Sequence, residues 1–127
     1  MSFTIDRVIE APFAEVEART RAALAAEGFG VLTEIDVAAT MKAKLGRDLA
    51  AYKILGACNP GLAFAALEAS PRIGAMLPCN VILRDTGAGI EVSAVDPVAS
   101  FAAVGEPGAR AVAAQVREIF TRVLAAI

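Results

Sequence analysis

With 127 residues, twelve basic and fourteen acidic side chains and a net charge of −2, the chain lacks the basic excess of a phosphate-reading nucleic-acid surface. It contains no histidine, which excludes imidazole acid–base catalysis, a His-containing triad and His-ligated zinc or haem within one chain. Hydrophobic residues make up 57% but aromatics only 6%, so one core of closely packed alanine-rich helices is expected, in a single domain over residues 1–127.

Residues 3–9 alternate as a strand, except that Arg7 and Val8 exchange polar and apolar character. Pro12 suits the first turn of a helix, and Phe13, Val16, Thr20, Ala23 and Leu24 recur at helical spacing. The spacing predicts a helix over 12–27 that stops at Gly28, where a left-handed cap is cheapest for glycine. The next strand is expected to line one face with Phe29, Val31, Thr33 and Ile35 and the other with Leu32 and Glu34. Asp36 can cap a short helix over 37–45, ended by Gly46. Residues 51–58 read as a third strand leaving through Cys58-Asn59-Pro60-Gly61, which is turn chemistry. An alanine-rich helix over 61–69 follows, interrupted by Pro71. Asn80–Asp85 and Gly89–Val95 flank Thr86-Gly87-Ala88 as a hairpin, and Asp96-Pro97 closes it before one helical turn over 98–103. From Ala109 to Ile127 an unbroken apolar stripe predicts an amphipathic helix over 107–126 that must be buried.

This order predicts an α+β fold: a two-layer α/β sandwich with a mainly antiparallel five-stranded sheet and two long helices on one face. A doubly wound nucleotide fold is disfavoured, because crossover units are few and no GxGxxG follows a strand. Leu32, Ile82 and Leu83 cannot all face one helical layer, so a homodimer through an edge strand or the uncovered sheet face is expected. No stretch approaches eighteen uninterrupted apolar residues and no signal-peptide pattern opens the chain. The expected setting is cytoplasmic, with no membrane and no nucleic acid as partner and with reduced thiols.

The segments Gly28-Phe29-Gly30-Val31-Leu32-Thr33-Glu34-Ile35-Asp36-Val37, Ile54-Leu55-Gly56-Ala57-Cys58-Asn59-Pro60 and Leu77-Pro78-Cys79-Asn80-Val81 carry a resemblance. In that order they resemble the bacterial and archaeal domain-of-unknown-function family 302 (DUF302) over nearly the whole chain. The resemblance implies a small α/β domain, often dimeric, without an established activity. The matching positions are Glu34, Asp36, Gly56, Cys58, Asn59, Pro60, Pro78, Cys79 and Asn80.

With antiparallel pairing, three turn segments meet at one end of the sheet: Gly56–Gly61, Pro78–Asn80 and Val95–Pro97. Cys58, Cys79, Asn59, Asn80 and Asp96 would then lie near one another. The expected function is small-ligand binding, with Glu34, Asp36, Tyr52, Cys58, Asn59, Cys79 and Asn80 as candidate contacts. A cysteine-dependent redox or thiol enzyme is the alternative, with Cys58, Cys79 and Asp96 as catalytic candidates, and a dimeric structural or adaptor protein is the third reading. Without histidine, an activated thiolate needs a helix N-terminus or a cation, and Cys58 has a helix beginning just after it. Two thiolates leave a tetrahedral metal site incomplete, so no metal and no cofactor is assigned. Each residue also has a plain structural account. The asparagines can satisfy loop amides, the cysteines can be small buried apolar groups, Asp36 can be a helix cap, Glu34 a solvated or paired carboxylate and Tyr52 a half-buried aromatic.

Overall fold

The computed structural model describes residues 2–127. Its strands are β1 (Thr4–Ile9), β2 (Gly30–Asp36), β3 (Tyr52–Cys58), β4 (Cys79–Asp85) and β5 (Ile90–Val95). Its helices are α1 (Phe13–Ala26), α2 (Val37–Leu45), α3 (Pro60–Ala69), α4 (Pro97–Ser100) and α5 (Pro107–Ala126), with a 3-10 segment over Pro71–Met76 after α3. The strands form one sheet in the order β1-β5-β4-β3-β2, and every neighbouring pair is antiparallel. The fold is the expected α+β sandwich.

The two long helices α1 and α5 pack against each other, and α3 packs along α5. Period explains the core. Leu55, Ala57, Val81, Leu83, Val92 and Ala94 alternate along three central strands and are fully buried. Val112, Ala113, Val116, Phe120, Val123 and Leu124 meet them from α5, and Val16, Thr20 and Leu24 from α1. Phe120 lies on Phe29, with ring centroids 5.1 Å apart and planes tilted by 51°. Thr20 is the one polar member of the α1 stripe, and its hydroxyl donates to the Val16 carbonyl at 2.7 Å.

Two departures from simple alternation have local causes. Arg7 takes an inward position because its guanidinium Nη1 donates to the carbonyls of Leu124 and Ala125, at 2.9 and 3.0 Å. It thereby caps the end of α5, whose last carbonyls have no helical partner. Val8 is left on the uncovered face, 53% exposed. In β2 the pairing shifts between Val31 and Thr33. This irregularity overturns the expectation that Phe29, Val31, Thr33 and Ile35 share a face. Phe29 is buried and Val31 opposes buried Ala57, whereas Thr33 opposes Gly56 and Ile35 opposes Ile54 on the other side. An extra residue at a bulge reverses the facing of everything beyond it.

Candidate functional site

The turns converge as expected. Ala57 on β3 is the register partner of Cys79 on β4, so Cys58 lies one step beyond it. With opposed residues about 5 Å apart and about 3.3 Å of rise per residue, the two cysteine α-carbons are about 6 Å apart. Both thiols are free. Their offset matters, because successive strand side chains alternate faces and a disulfide needs side chains aimed at each other.

Asn59 caps α3, its side-chain oxygen accepting from the Leu62 amide at 3.2 Å, and Pro60 occupies the first helical turn. Asp96, at the same end of β5, is buried and caps α4 by accepting from the Val98 amide at 3.0 Å. Its second oxygen faces Arg117 Nε of α5 at 3.4 Å. Asp96 is therefore satisfied by structural partners and holds α4 against α5.

Behind these turns is a small apolar cavity of about 30 Å³. Cys58, Asn59, Pro78, Cys79 and Pro97 come from the three converging turns, and Phe29, Leu62, Ala63, Ala66, Phe101, Val112 and Val116 close it from the helices and loops. These helical positions carry no polar signal in the sequence, which is why a search for chemistry-bearing residues passes over them. The one available hint is the small pair Ala63 and Ala66, which leaves room beneath α3.

The remaining candidates lie elsewhere. Asn80 is exposed on the uncovered face, opposite Gly56. Tyr52 opposes Arg84 at the far end of β3 from Cys58. Asp36 caps α2, accepting from the Ala39 amide at 2.9 Å. Glu34 belongs to a charge cluster between α1 and the sheet: Lys53 Nζ lies 2.9 Å from Glu17 and 3.7 Å from Glu34, and Arg21 bridges Glu17 and Glu34. Burial would raise the Glu17 pKa, but hydrogen bonds from Lys53 and Arg21 outweigh it and hold the carboxyl below its ordinary value. The hydrogen bond to Glu17 pushes Lys53 up, against a smaller desolvation effect. Glu34, Asp36 and Tyr52 thus do not share a site with the cysteines.

Burial, with the neighbouring Cys58 adding to it, pushes the Cys79 thiol up to about 11. Cys79 is protonated at neutral pH and is a poor nucleophile there. Among the described residues no group of three or more His, Cys, Asp or Glu side chains is placed to hold a metal ion.

The sequence profile described as "Domain of unknown function DUF302" matches residues 5–127. The chain belongs to the DUF302 family. Among solved structures, the chain is similar to the crystal structure of an uncharacterized conserved DUF302 protein from Bacillus stearothermophilus, with a TM-score of 0.91 and 24% identity. That match covers 98% of each chain and carries the fold. No curated protein matches. Family membership accounts for the architecture and leaves the chemistry to be read from the DUF302 chain itself. No helix among the described residues is long and apolar enough to cross a membrane.

Proposed function

We propose that this DUF302 chain is a small-ligand-binding module whose site is the cavity behind Cys58, Asn59 and Cys79. The supporting observation is the cavity itself, an apolar space opening where three turns converge. At about 30 Å³ it has room for roughly one water, yet its lining offers almost no polar partner to hold one. Such a space favours a small apolar group. A larger ligand requires α3 to move outward, and the composition of α3 allows that. Ala66 is its one fully buried residue, and Phe64 and Leu67 point away from the core. The neutral, buried Cys79 acts here as an apolar wall rather than as a nucleophile.

Xenon and benzene-sized apolar fragments are suitable probes, read by amide chemical shifts. Shifts centred on Phe29, Ala57, Leu62 and Val112 support the assignment, and they should vanish in Ala63→Leu, which fills the cavity. Absence of shifts at these positions, or shifts that persist in Ala63→Leu, refutes it. For a ligand held at one hundred times its Kd, linkage gives about 2.7 kcal/mol of added stability.

A further inference from the structure

The end of the sheet opposite the cysteines carries a larger space. There β2 ends and β3 begins, with Asp36 and Lys53 as register partners, and α1 and α2 both start beside them. A groove of about 400 Å³ lies between these elements. Its walls are small and apolar: Phe13 and Ala14 from α1, Ala38 and Ala39 from α2, and Ala51 from the approach to β3. The volume falls within the roughly 300–1,000 Å³ of small-molecule pockets. The groove shares no lining residue with the cavity behind Cys58.

One wall of the groove lacks packing of its own. Helix α2 has nine residues and no buried side chain. Helices of that length are marginal alone in water, and most helical stability comes from packing an apolar face. Ala38 and Ala39 border open space, and Phe13 across from them is only half-buried. A molecule seated in the groove would bury both walls.

The charges around the groove select that molecule. Lys53 Nζ is 2.9 Å from Glu17 and 3.7 Å from Glu34, and Arg21 bridges the same two acids. Two acids and two bases cancel, so Lys53 is neutralised although it lines the groove. Asp36 stands outside this set. One of its oxygens accepts from the Ala39 amide at 2.9 Å. The other has no hydrogen-bond or ion-pair partner among the described residues. An unpaired carboxylate beside an apolar wall is complementary to a cation carried on an apolar body. The Phe13 ring favours the same ligand, because an aromatic face attracts a cation as well as apolar surface. An anion is disfavoured, since Asp36 repels it and Lys53 is already held by Glu17 and Glu34.

We propose that this groove binds a small organic cation, a protonated amine with an apolar body. Its ammonium sits at Asp36 and its body against Phe13 and the surrounding alanines. The site is independent of the cavity behind Cys58.

The test is amide chemical-shift titration of the full chain with three probes of one shape: phenethylamine, 2-phenylethanol and 3-phenylpropanoate. Phenethylamine should give saturable shifts at Phe13, Ala38, Ala39 and Ala51. The neutral alcohol should bind about fivefold more weakly, the upper range for an exposed ion pair, and the carboxylate should give no saturable shift. Asp36→Asn keeps a good helix cap while removing the charge, and should bring the amine down to the affinity of the alcohol. Ala38→Leu fills the groove and should remove binding of both. The wild-type arms decide the matter without any variant. No saturable shift with the amine overturns the proposal. So does an alcohol or a carboxylate that binds as tightly as the amine, or an amine affinity unchanged in a folded Asp36→Asn. Xenon shifts around Phe29 and Val112 report on the other cavity, so failure at one site is distinguishable from failure at the other.

Discussion

Phe120→Ala tests whether the α5 stripe holds the two layers together. Phe120 is fully buried and packs, at a tilt, with its ring centroid 5.1 Å from that of Phe29, which lies between α1 and β2. Truncating a buried phenylalanine costs about 3–5 kcal/mol, since the lost transfer energy adds to a cavity that relaxes only in part. At about 0.05–0.15 kcal/mol per residue, a chain of 127 residues has a total stability of about 6–19 kcal/mol. The substitution should therefore leave a folded but weakened protein. An unfolding entropy of about 2.1 cal/mol/K per residue gives about 0.27 kcal/mol/K for this chain, so a 4 kcal/mol loss lowers Tm by about 15 °C. Phe120→Asp adds an unpaired buried carboxylate and should abolish the cooperative transition. The assay is calorimetry with a denaturant series, and Phe64→Ala is the control: Phe64 is 64% exposed and its loss should change stability by no more than about 0.5 kcal/mol. A Phe120→Ala midpoint within about 4 °C of wild type, or an equal drop in Phe64→Ala, would refute this placement of the core.

Two further predictions follow from single positions. In Gly56→Ala the new methyl group would overlap Thr33 Oγ1 and come within 2.7 Å of Pro78 Cγ, so the urea midpoint should fall by an amount worth about 1–3 kcal/mol. Adding Thr33→Ala should recover part of that loss, and a full-strength loss in the double variant would show that Thr33 is not the obstacle. Cys79 has a folded pKa raised from 9.0 to about 11, so its stabilising contribution is fully present below about pH 9 and is lost as pH rises through about 11. Comparison of wild type with Cys79→Ala from pH 8 to 11 should show about 2–3 kcal/mol of extra pH dependence in the wild type; parallel curves would contradict the burial of that thiol.

Much of this architecture is legible because its long elements bury one clean stripe each. The α5 periodicity, the β4–β5 hairpin and the caps at Asp36, Gly28 and Gly46 all stand where local chemistry puts them. The sequence misleads where a tertiary partner overrides the local pattern. Arg7 looks like a mistake in a strand until the carbonyls at the end of α5 are seen to need a donor. The reversal of facing in β2 has no composition signal, because Val31, Leu32 and Thr33 all suit a strand. The cysteine end is legible as a place but not as chemistry. Spacing brings Cys58 and Cys79 together, but only the register shows that Ala57 stands directly across from Cys79. The cavity beside them is lined by side chains that read in sequence as ordinary core.

The three sequence blocks that carry the family resemblance meet around Gly56. Thr33 comes from the first block and Pro78 from the third, and both close over the missing side chain of Gly56 in the second. A second close approach joins the first two blocks: Gly28 has φ of +79°, and a β-carbon there would come within 3.1 Å of the Asn59 side-chain nitrogen. Glycine at 28 thus serves both the left-handed turn after α1 and the space for Asn59, whose oxygen caps α3. These contacts fix the relative positions of the α1–β2 turn, the β3–α3 turn and the approach to β4. Phe29, Cys58, Asn59, Pro78 and Cys79, from or beside these segments, line the apolar cavity. Packing at Gly28 and Gly56 therefore helps to position segments that line that space, so a residue matched by the family can bear on it without touching a ligand.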